Sequence, residues 1–143
     1  MKLKISLYLL LILCFCYAPT PDFVSSAGVS VYLHGHTEFT VGQADVMDTY
    51  LLENFPYSGP RKDVEKCLTE TTVELVNSAG HCSKDFQCAG EQHHSLLHIL
   101  VYPCMYRSAY VHEMSHWLQE CLYEAYDPDH TDSRVWAVVN SFS

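Results

Sequence analysis

The stretch from Pro103 to Asp127, PCMYRSAYVHEMSHWLQECLYEAYD, is the longest amphipathic run in the chain and limits what the rest can build around it. At about 100° per residue, Tyr110, Met114, Trp117, Leu118, Cys121 and Ala125 share one side, with Val111 and Leu122 at its edge. Such a stripe predicts a helix packed on a core. Pro103 suits the first helical position, and Asp127-Pro128 ends the run, because a residue before proline leaves the α region. On this wheel His112 and His116 fall nearly opposite the stripe, facing water, and Glu113 lies to one side.

His112-Glu113-Met114-Ser115-His116 is an HExxH string. Histidines at i and i+4 stand one turn apart on one face and can reach one metal, and the adjacent glutamate can act as general base on a water. Val111 to Leu118 resembles the extended zincin pattern. The resemblance implies zinc as cofactor, His112 and His116 as ligands and Glu113 as the catalytic residue. The usual continuations are missing, since Gln119 and Leu122 stand where a metzincin has Gly and His or Asp, and no glutamate follows Glu124. Asp127, Asp129, His130 and Asp132 are the nearby side chains able to supply a third ligand, in no zincin arrangement.

The chain opens Met1-Lys2-Leu3-Lys4 and is apolar from Ile5 to Ala18, the form of a secretory signal peptide. Residues 1–18 are expected to be removed, with cleavage after Ala27 as the alternative, leaving a secreted, extracellular protein. Without Lys2 and Lys4 there remain six basic residues against seventeen acidic ones, a net of −11. That charge disfavours nucleic acid and anionic membrane surfaces, and no later stretch is long and apolar enough to span a membrane.

Residues 19–39 read as an extended arm containing His34-Gly35-His36. Residues 40–143 read as a single helical domain. Thr40 and Gln43 form a capping box for a helix to about Phe55. A second helix is expected over 61–77, and a third over 83–102 with His93 pointing inward. The Pro103–Asp127 helix completes an all-α, up-down four-helix bundle. If the third and fourth helices meet by their margins, His94, His98, His112 and His116 form a four-histidine site.

Five cysteines remain after cleavage, and export favours disulfides. In an up-down bundle Cys67 meets Cys104, and Cys121 meets Cys88, with Cys82 as the other candidate. The odd thiol, Cys82, is then free or joins two copies in a disulfide-linked homodimer.

The sequence by itself favours a secreted, non-enzymatic helical binding or signalling protein with no cofactor, whose extracellular protein or small-molecule partner it does not name. A small zinc metallopeptidase using His112, Glu113 and His116 is the alternative, and a small-molecule or metal carrier a third reading.

Overall fold

A computed structural model describes residues 19–76, 90–100 and 106–142. The expected signal peptide and Cys82, Cys88 and Cys104 lie outside the described residues.

The all-α bundle is not what forms. A five-stranded mixed sheet packs against helices, making an α/β fold. In chain order the elements are β1 (Phe23–Val24), β2 (Ser30–Tyr32), α1 (Val41–Asn54), α2 (Arg61–Thr69), β3 (Thr72–Val76), β4 (Gly90–His93), β5 (Leu96–Leu100), α3 (Tyr106–Tyr123) and α4 (Ser133–Ser141). The sheet order is β1-β2-β3-β5-β4. β2, β3 and β5 run parallel, while β1 and β4 pair antiparallel at the edges.

The second expected helix stops early. α2 ends at Thr69, and Thr72-Val73-Glu74-Leu75-Val76 alternates between half-buried and buried. β-Branched residues fit that pleated, half-buried surface better than a helix. The third expected helix is a hairpin over its described part: β4 and β5 are joined by His94 and Ser95, and His94 takes φ 52°. Gly90, Gln92, Leu97 and Ile99 face the helices, and Glu91, His93 and His98 point the other way. Period-2 alternation has displaced a 3.6-residue pattern that the same apolar run also satisfied. His93 is therefore exposed rather than inward.

The expected arm is part of the sheet. Val29 and Val31 are fully buried, Phe39 packs on Tyr110, and β2 pairs with β3. β-Favouring residues in a Pro/Gly/Ser-rich stretch make short strands once β3 offers a partner.

α1 starts as the capping box predicts. The Gln43 amide donates to Thr40 Oγ1, and Gln43 Oε1 accepts from the Thr40 amide at 2.9 Å. Its buried face holds Ala44, Met47 and Leu51, and also Asp48.

Cys67 of α2 is joined to Cys121 of α3, which replaces the expected pairing of Cys67 with Cys104 and of Cys121 with Cys88. Those pairings rested on bundle geometry; here α2 and α3 pack side by side, and Trp117 Nε1 donates to the Cys67 carbonyl at 2.9 Å. A bridge across 54 residues removes denatured-state entropy on the order of 4 kcal/mol.

Asp48 sits in the core with no exposed surface, accepting from Ser25 Oγ at 2.5 Å and from the Tyr110 hydroxyl at 2.6 Å. Burial pushes its carboxyl up to about 6, against the lowering effect of those two hydrogen bonds. Because the folded-state value lies above the unfolded one, the contribution to stability is fully present below pH 4 and is lost as pH rises through 6. We expect the wild type to lose roughly 3 kcal/mol from this group between pH 4 and 7. Asp48→Asn should remove that slope, as denaturant unfolding at the two pH values would show.

Candidate metal centre

α3 is buried on almost every side. From Ala109 to Gln119 only His112 is even half-exposed. One side, with Val111, Met114 and Leu118, packs on the sheet and its neighbours. The side carrying the histidines, expected to face water, is covered by the chain that follows. α3 ends at Tyr123, with Glu124 in the left-handed region at φ 51°, earlier than Asp127-Pro128. The chain then turns back and α4 packs on α3. That side of α3 carries few charges, which is the mark of a helix covered on a second face.

The returning loop brings His130 to the HExxH pair. His130 Nε2 lies 3.2 Å from His116 Nε2. One ligand nitrogen from each of His112, His116 and His130 can be chosen so that all lie within 4.8 Å of one another. Trp136 of α4 packs against all three rings, with centroids at 5.0 Å from His112, 4.8 Å from His116 and 4.0 Å from His130. It is 8% exposed and forms an apolar wall. Tyr126 adds an exposed ring 6.0 Å from that of His116.

Asp127 holds this loop in shape. Its Oδ1 accepts from the Thr131 amide at 2.8 Å and the Thr131 hydroxyl at 2.9 Å. Its Oδ2 accepts from the Asp132 amide and from Trp136 Nε1, each at 2.9 Å. These four donors hold its carboxyl far below the usual carboxylate range, the Asp132 amide foremost. His130 itself takes φ 55°, a left-handed backbone that costs about 1 kcal/mol or more at a non-glycine residue and gathers at functional sites.

Burial pushes both imidazoles of the motif down to about 4. At His112 the charge of His130 adds to that effect; at His116 His112 and His130 add, and Asp127 opposes. Both rings are neutral at pH 7, the form in which imidazole binds a metal.

Glu113 turns toward the sheet. It is 8% exposed, and burial, followed by the charge of Glu91, pushes its carboxyl up to about 7. Gly90 on β4 makes room for it: a Cβ there would sit 2.6 Å from Glu113 Cγ and 3.1 Å from Glu113 Oε1. Any side chain at position 90 would have to displace the glutamate. Gln92, on the same face of β4, donates to Glu120 Oε2 at 2.7 Å, and His94 pairs with Glu120 Oε1, fixing the hairpin to α3.

The four-histidine site does not assemble. His94 is taken by Glu120, and His98 lies on the far face of the sheet beside Glu74. His130 is the residue that joins the pair. It stood among four candidates in the sequence, and only the reversal after Glu124 selects it.

No protein-family model, curated protein or solved structure matches this chain.

Because Asp127 shapes the loop without touching the His130 ring, Asp127→Ala should weaken zinc binding at this centre roughly ten- to a hundredfold, the usual effect of losing a support behind the ligands. Tryptophan fluorescence would follow the titration, since Trp136 packs on all three rings. Unchanged affinity would show that the loop holds His130 by other means.

Proposed function

We propose that the protein is a zinc-dependent hydrolase acting on peptide bonds, with His112, His116 and His130 as metal ligands and Glu113 as general base. This departs from the non-enzymatic role that the sequence favours, whose premise was a solvated histidine pair. The observation that carries the proposal is the convergence of the imidazoles. Two tetrahedral ligands with Zn–N bonds of 2.0–2.1 Å stand about 3.3 Å apart, and His116 and His130 nitrogens stand 3.2 Å apart. Three histidine ligands form the donor set of catalytic rather than structural zinc.

Zinc bound there would supply a Lewis acid that acidifies a water and polarises a carbonyl. The chain's own groups do the rest. Glu113, one residue after His112 and enclosed beneath Gly90, takes a proton from the attacking water and returns it to the departing amine. Its raised pKa suits that exchange, and a nearby cation draws the value back down. Trp136 and the buried flank of α3 shield His116, while His130 stays exposed to solvent.

The choice of peptide rests on β4. It is the edge strand of the sheet among the described residues, and its Gly90 lies directly on Glu113. An extended chain pairing with that edge would bring its carbonyls alongside Glu113. The Cys67–Cys121 bridge fits the oxidising compartment that the expected export signal implies. Among the described residues no helix is long and apolar enough to cross a membrane.

The test is proteolysis of an unfolded protein substrate by the zinc-loaded chain. We expect cleavage that a chelator abolishes and zinc restores. Glu113→Gln should lower the rate by at least about a hundredfold with zinc retained at this centre, and His116→Ala should lose that zinc. Full activity in Glu113→Gln would overturn the assignment of the base. Zinc binding without any hydrolysis would sink the enzymatic reading and leave a metal carrier.

A further inference from the structure

The sheet face turned away from α3 carries a second group of metal-ligating side chains. Register places Glu91 of β4 directly opposite His98 of β5, and His98 directly opposite Glu74 of β3. His93 stands two residues beyond Glu91, on the same face by strand alternation. One ligand atom from each of Glu91, His93 and His98 can be chosen so that all lie within 4.8 Å of one another. His93 Nε2 is 3.0 Å from Glu91 Oε1, and His98 Nε2 is 3.8 Å from Glu74 Oε2.

Charge and burial both call for a cation here. Among the described residues the ion pairs of Glu74 and Glu91 are with histidines alone, His34, His98 and His93, and no lysine or arginine joins them. Glu91 Oε2 is shut off from solvent and accepts no hydrogen bond among the described residues. A buried acceptor in that state carries its full desolvation cost, and an ion is one of the few things that removes it.

We propose that Glu91, His93 and His98 form a second zinc site on the outer face of the sheet, with Glu74 beside it. Mixed imidazole and carboxylate donors suit zinc over calcium or magnesium, which take oxygen ligands. Bound there, zinc ties the edge strand β4 to β5, and so fixes the strand whose Gly90 covers Glu113. The inference stands independently of the hydrolase reading, because it shares no ligand with it.

The test is zinc stoichiometry of the full chain, stripped of metal and titrated with zinc alone. The wild type should take two equivalents. Glu91→Gln/His98→Ala should take one and His116→Ala one. His93→Ala, at an exposed position that leaves the core intact, should weaken one of the two sites at least tenfold. Zinc should slow hydrogen exchange at the amides of residues 90–93 in the wild type and in His116→Ala, and not in His93→Ala. A single equivalent that His116→Ala removes and Glu91→Gln/His98→Ala leaves would overturn this site and spare the other. A single equivalent with the opposite pattern would spare this site and remove the metal basis of the proposed hydrolase. A second equivalent that survives Glu91→Gln/His98→Ala, or unchanged exchange at β4 on adding zinc, would also overturn it.

Discussion

A helix that carries almost no charge over eleven residues must be covered all round, and α3 imposes that condition on the rest of the molecule. One sheet and two helices cover its apolar stripe. The histidine side needs a different cover, because imidazoles driven out of water must keep some polar contact. The chain meets the need with its own last segment, where α4 provides hydrophobic area through Val135, Trp136 and Val139 and the loop before it provides the third imidazole. Burial of α3 and assembly of the centre are thus one event.

The polar residues around the centre divide the labour between charge and shape. Asp127 is saturated with donors and works as a fixed scaffold. Glu113 is instead held in a poor solvent beside Glu91, which keeps its proton affinity near the neutral range. Two carboxylates on one short stretch thus behave oppositely, through hydrogen bonding in one case and desolvation in the other.

Much of the local structure was legible in the sequence. Thr40 and Gln43 announced α1, and the spacing of His112 and His116 announced a shared helical face. What could not be read was which side of that helix would be covered, since this depends on a reversal after Tyr123 made by non-glycine residues in left-handed conformations. The sheet was missed for another reason. The apolar run around Leu96–Leu100 satisfies helical and strand periods alike, and only pairing with Thr72–Val76, itself paired with Ser30–Tyr32, decides between them. The disulfide followed the wrong fold, because cysteine connectivity is a property of topology and not of spacing.

The order of ligands along the chain has its own consequence. The HExxH pair belongs to a single helix, but its third nitrogen arrives fourteen positions later, from a segment joined to α3 through the exposed stretch Tyr123–Tyr126. A cut in that stretch would leave every residue of the motif in place on a folded sheet, yet separate it from the imidazole and the indole that enclose it. Whether the centre is whole is therefore a matter of one exposed peptide segment.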